Sequence, residues 1–304
     1  MLNALLFTKT NIMATSTAKT STDKKAYDPE EIKVRRINFS FSKENPRFYY
    51  KNNPFSTHFI NVLHIVFPTG ERFFVNSVLK HQKSITEDKL KKQVRNFCGQ
   101  EGIHSSMHER FWNILKANGY NIQGFEEHID RVLHKIVAKI EVEGTRINNI
   151  DLAATVCLEH FTALFGHALF AHVETQPEVV PPDMAELFLW HAAEEIEHKN
   201  VAYDVFQKVD EGEHRKRVVM MPIVTALLYF YLSVGTIMLM YQDRKHLELT
   251  KLPKQFFDFA TGLFSDLHSD LIKEYFSFFK KDFHPSELND YHYAENFFKD
   301  KAYA

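Results

Sequence analysis

The sequence predicts an all-α fold: a four-helix bundle followed by additional C-terminal helices. Three observations predict it. Turn formers are scarce, with Gly and Pro at 10 each in 304 residues, which favours long helices over strands. No segment sustains a period-two alternation, whereas apolar steps of three and four recur. Several helix-length stretches also carry Glu and His in the middle of an otherwise apolar stripe.

The bulk numbers narrow the function classes. A formal net charge of -2 provides no basic stripe for phosphate contacts and excludes a dedicated nucleic-acid binder. The two cysteines, Cys98 and Cys157, lack CxxC or zinc-type spacing, so a disulfide framework is excluded and cytosolic thiols are expected. Histidine (17) and phenylalanine (28) are abundant.

The division expected is a disordered tail over 1–33, a di-metal bundle over 34–212, and an apolar helix with aromatic-rich helices over 213–304. The first 26 residues are Thr-, Ser- and Lys-rich, show no amphipathic period or secretory core, and offer Met13 as an alternative start. After an extended lead-in over Val34–Asn53, the first helix is expected from Ser56 to Gln82, kinked or restarted at Pro68-Thr69-Gly70. The second starts with Thr86 as N-cap and Glu87 and Asp88 in its first turn, and stops at Gly119. A third covers 124–142, and a fourth runs from Asn149 to His172 before Pro177, Pro181 and Pro182 break the chain. The fifth is expected as one helix from Asp183 to Lys208.

Val218–Tyr241 is uncharged throughout and long enough to cross a bilayer. It reads first as a helix buried all round, within the domain or at a homodimer interface, ahead of membrane-surface contact and of a span. Basic residues flank it on both sides, too evenly to orient it. The location expected is cytoplasmic, with membrane association through 218–241 left open.

The chemistry is carried by two helices. In the second, Val94, Phe97, Glu101, His104, His108, Phe111 and Leu115 share one face; in the fifth, Leu187, His191, Glu195, His198, Ala202 and Val205 do so. Each face thus holds a Glu-x-x-His pair, QEGIH and EEIEH. Glu159 interrupts the stripe of Leu152, Val156 and Ala163, and Glu71 follows the Pro-Thr-Gly break. Four buried carboxylates repel one another unless cations neutralise them. One Glu from each of two helices and Glu-x-x-His from each of two others is the ligand set of a carboxylate-bridged di-iron or di-manganese bundle. Glu197 and Lys199 fall off the apolar face and read as solvated, and His160 points away from Glu159.

The segments THFINVLHIVFPTGERFF, FCGQEGIHSSMHERFW, CLEHFTALF and WHAAEEIEHKNVAYDV resemble the bacterial "predicted metal-dependent hydrolase" family. That family is similar to ferritin-like di-metal proteins in its ligand pattern. The resemblance implies Glu71, Glu101, His104, Glu159, Glu195 and His198 as metal ligands. Gln100 and Glu194 match positions that support the opposite helix's His, and His108 and His191 are extra ligands or supporting groups. The expected cofactor is two iron ions, with manganese as the other choice.

The leading functional expectation is an O2-dependent oxygenase or oxidase acting on an apolar small molecule, with O2 and an electron donor as partners. A hydrolase using a di-metal-activated water is the alternative, and a ferroxidase or iron-handling role the second alternative.

Overall fold

In the computed structural model, the described residues are 31–42, 45–140, 148–175, 180–266 and 269–299. The expected tail over 1–33 and the alternative start at Met13 lie outside them, save 31–33. There Ile32 is buried and its carbonyl accepts from Asn96 at 2.7 Å, so the anchored chain begins before Val34. All regular structure among the described residues is helical.

Helix α1 spans Pro54–Leu79, α2 Asp88–Ala117, α4 Ile150–Thr175 and α5 Pro182–His198, with α3 (Gln123–Asp130) between the two pairs. The four long ones close a ring in which α1 packs on α2, α2 on α5, α5 on α4 and α4 on α1. Apolar faces meet along that ring: Phe73, Phe97, Val156 and Phe206 are buried together on one side of the centre, and Ile65, Phe111 and Met184 on the other. Helices α6 (Val201–Val209), α7 (Glu213–Gln242), α8 (Leu252–Asp266), α9 (Ser269–Ser277) and α10 (Tyr291–Lys299) follow. Of these, α7 lies along α1 and α4, and α10 covers α5.

Several boundaries differ from expectation. Asn53 caps α1, accepting from Phe55 and Ser56 amides at 2.9 and 3.3 Å, with Pro54 in the first turn. The helix then runs unbroken through Pro68. Proline lacks the N–H that the His64 carbonyl would accept, and Trp112 supplies a replacement, donating Nε1 to that carbonyl at 2.7 Å. This cross-helix bond removes the need for a restart. In α2 the N-cap is Glu87 rather than Thr86, and Gly119, at φ 89°, follows the C-cap Asn118. The third helix passes into a π turn over Arg131–Ile136 and a 3-10 turn over Val137–Lys139, and 141–147 lie outside the described residues. The expected fifth helix is divided in two at Lys199 and Asn200. Lys199 is buried there, its Nζ bonded to Asp290 and to the Leu288 carbonyl.

Burial of Val218–Tyr241 all round within the domain, one of the two settings expected for it, is corrected. Only one side of α7 packs, through Val224, Leu232, Gly235, Thr236 and Leu239; the other faces outward. A helix apolar on every side carries no period that tells which side meets its neighbours.

Candidate metal centre

The four ring helices bring Glu71 (α1), Glu101 and His104 (α2), Glu159 (α4), and Glu195 and His198 (α5) to the bundle axis, all buried. Helical spacing puts each Glu-x-x-His pair on one surface, so α2 and α5 each offer a carboxylate beside an imidazole. The His198 Nε2 lies 3.0 Å from Glu101, 3.3 Å from Glu195 and 3.6 Å from Glu159. The His104 Nδ1 lies 3.5 Å from Glu195 and 3.9 Å from Glu101.

Two overlapping groups emerge, each of a size to hold one cation. Ligand atoms of Glu101, Glu159, Glu195 and His198 lie within 4.8 Å of one another, as do those of Glu71, Glu101 and His104. Glu101 belongs to both. Two further such groups, His104 with His191 and Glu195, and Glu71 with His108 and His191, bring Glu195 and the two extra histidines beside the second position as well.

The electrostatics without cations are unfavourable. Both oxygens of Glu71, Glu101 and Glu159, and the Nδ1 of His104, are buried with no hydrogen-bond partner. Burial, and then the charge of Glu101, push the Glu71 and Glu159 carboxyls far above their ordinary value. Glu101 is raised by burial and by Glu195. Burial opposes the charge on Glu195 too, but His198, His104 and His191 outweigh it and hold that carboxyl well below the usual range. This donor set, carboxylates and imidazoles with free lone pairs in a dry core, suits divalent cations, which would satisfy the orphaned oxygens.

Around it lies a closed supporting ring. His104 Nε2 meets Glu194 at 3.0 Å, and His198 Nδ1 meets Gln100 Oε1 at 3.0 Å. The Gln100 amide donates to Glu197 at 3.0 Å, and Arg35 donates to Glu197 at 2.6 and 2.7 Å and to Glu194 at 3.0 Å. Each imidazole is thereby fixed from behind. The reading of Glu197 and Lys199 as solvated is corrected, since both are buried. Arg35 went unnoticed because it lies in the extended lead-in, where no periodicity marks a functional position. His160 is buried against Phe278 at 4.6 Å, away from the ligand groups.

A second feature is a string of three imidazoles. His191 Nε2 lies 2.8 Å from Glu195 and 3.6 Å from Glu71. Its Nδ1 meets His108 Nε2 at 2.9 Å, and His108 Nδ1 meets His64 Nδ1 at 2.7 Å. His64 ends the string with Nε2 unpartnered, its ring 4.1 Å from Phe111. Phe111 and Asn61 border a cavity of about 160 Å³, with Phe41, Tyr49, Tyr120 and Met184. Sequence reasoning singled out His191 and His108 but missed His64, whose face is hidden by the assumed break at Pro68.

Fold and centre together define a metal-dependent all-α protein. The chain matches the family described as "Predicted metal-dependent hydrolase" over residues 33–289 and belongs to it. No curated protein and no solved structure matches the chain. The family corrects the oxygen-dependent reading of the sequence, because its description names hydrolysis, the stated alternative. Carboxylate and imidazole ligands bind redox-active and redox-inert divalent ions alike, so ligand type could not decide between the two chemistries.

Proposed function

We propose that the protein is a hydrolase and that Glu71, Glu101, His104, Glu159, Glu195 and His198 would hold two divalent cations. The observation that carries this reading is the set of orphaned carboxylate oxygens in a buried core. Iron(II) or manganese(II) fits a donor set free of thiolate. Such a pair supplies Lewis acidity and makes water a nucleophile near neutral pH.

The chain's own residues do the rest. Glu194 and Gln100 orient the two ligand imidazoles. Phe67 and Trp190 wall the centre, their rings 5.1 Å from His191 and 4.9 Å from His104, and keep bulk water out. His191, whose Nε2 lies 2.8 Å from Glu195 and 3.6 Å from Glu71, would orient these two carboxylates for the cations. His108 and His64 support His191 in turn, His108 Nε2 meeting His191 Nδ1 at 2.9 Å and His108 Nδ1 meeting His64 Nδ1 at 2.7 Å.

The test is hydrolysis of a panel of esters, amides and phosphoesters by protein loaded with Mn(II) or Zn(II) under nitrogen. Turnover should depend on metal, not on O2, and vanish in Glu101→Ala. His191→Gln, which removes an orienting group, should weaken metal binding or turnover about 10- to 100-fold. A metal-loaded protein that hydrolyses nothing in the panel would sink the reading.

A further inference from the structure

Helix α7 exposes an uninterrupted apolar stripe. Val219, Ile223, Leu227, Phe230, Val234, Ile237 and Tyr241, spaced by three and four residues, are between 40% and 67% exposed. Between Glu213 and Gln242 the helix carries no acidic residue, and its cations stop at Arg217. The stripe extends for about 33 Å at the rise of an α-helix. Monomeric soluble proteins rarely leave apolar surface of that extent to water. Exposed Phe276 on α9 adds to it from a helix tied to α7 by the 2.9 Å contact of Thr225 and Tyr275.

We infer that this stripe lies in the surface of an anionic lipid bilayer, with α7 parallel to the membrane plane. The charge pattern selects this occupant. Exposed cations stand at both ends of the stripe, Arg215 before it and Arg244 and Lys245 after it. Arg244 stacks over the Tyr241 ring at 4.6 Å, an aromatic and a cation together where headgroups would lie. A second copy fits this pattern poorly. An antiparallel pair centred on Phe230 would set Arg215 against Lys245, and a parallel pair would set Arg215 against its twin. A span is ruled out by the opposite face of α7, which is occupied by α1 and α4. At Gly235 even a Cβ would come within 2.7 Å of Val62, so lipid meets one side only. Snorkelling side chains at the two ends can reach phosphates while the stripe is submerged. The inference does not rest on the hydrolytic reading.

The test is flotation of the full chain with vesicles of phosphatidylcholine alone and of equal parts phosphatidylcholine and phosphatidylserine. The chain should float with the mixed vesicles, and about tenfold less with the neutral ones. The triple variant Ile223→Gln, Phe230→Gln, Ile237→Gln alters only exposed side chains, so its metal content and helical signal should be unchanged while flotation is lost. Arg244→Glu with Lys245→Glu should abolish the preference for phosphatidylserine. Failure to float with either vesicle overturns the inference. If sedimentation then shows a dimer that the triple variant dissociates, the occupant is a second copy. Equal flotation with both vesicles overturns the anionic requirement.

Discussion

His104 on α2 and Glu194 on α5 meet at 3.0 Å between Nε2 and Oε2. Burial works against a charge on His104, yet its bond to Glu194, the nearness of the Glu195 carboxylate and the charge of Glu101 prevail, and the imidazole is pushed up to about 10. Glu194 thus holds the Nε2 proton and leaves Nδ1 turned toward Glu195 and Glu101. The opposite histidine, His198, has an amide in the equivalent position, Gln100 Oε1 at 3.0 Å. The two halves of the centre are alike in ligands and unlike in the charge behind them. Replacing Glu194 by Ala should therefore weaken metal binding about 10- to 100-fold, measured by competition with a chromophoric chelator. Gln100→Ala, which removes a neutral partner, should weaken it less, and a larger loss from Gln100→Ala would contradict this account.

Arg35 closes the supporting ring from outside the bundle, clamping Glu194 and Glu197 while its guanidinium lies 3.4 Å over the Phe298 ring. Removing it strands two buried carboxylates. Arg35→Met should destabilise the protein by about 3–5 kcal/mol, read from the midpoint of urea unfolding. Adding Glu197→Gln should recover part of the loss, because one of the stranded charges is gone. No change of midpoint in Arg35→Met would show that the clamp is not structural.

Arg35 also marks where sequence reading stops. Glu101, His104, Glu195 and His198 could be placed on inward faces because apolar neighbours recur around them with the helical period. That period is a property of one helix, and it holds whatever the helix packs against. Arg35 sits in a segment without a period, and its role arises only when the lead-in folds across α2 and α5. Glu197 lies off the α5 stripe, yet the lead-in and α10 cover that side. The α7 stripe was misjudged for the opposite reason, since uniform apolarity leaves the register open. The restart expected at Pro68, the alternative to a kink, does not occur because a donor from another helix, Trp112, replaces the missing bond.

The raised Glu71 and Glu159 carboxyls make metal uptake a proton-releasing step. Burial and the neighbouring Glu101 favour their protonated form in the metal-free protein, and cations must displace the protons held there to bind. Affinity should therefore rise with pH, by about tenfold per unit for each proton displaced. Titration of the metal-free protein at pH 6 and pH 8 in a weakly buffered indicator solution measures both quantities. Glu159→Gln should release fewer protons on loading, and an affinity independent of pH would contradict the proposal.

His160 provides a readout of stability separate from the metal. Its ring lies on Phe278 at 4.6 Å, and burial lowers its pKa to about 3, with Lys199 and Arg217 adding to the effect. The unfolded chain takes up this proton below about 6.5, whereas the folded protein resists it until about 3. Stability from this group is therefore complete above 6.5 and is lost as pH falls through the window between the two values. At pH 5 the loss amounts to about 2 kcal/mol. His64, also lowered to about 3 by burial and then by His191, contributes in the same direction. The fall in urea midpoint between pH 7 and pH 5 should shrink in His160→Phe, which keeps the ring contact and removes the titrating nitrogens. The variant's stability at pH 7 separates this effect from repacking: a pH difference as large as in the parent would mean that His160 is already protonated, or solvated, in the folded state.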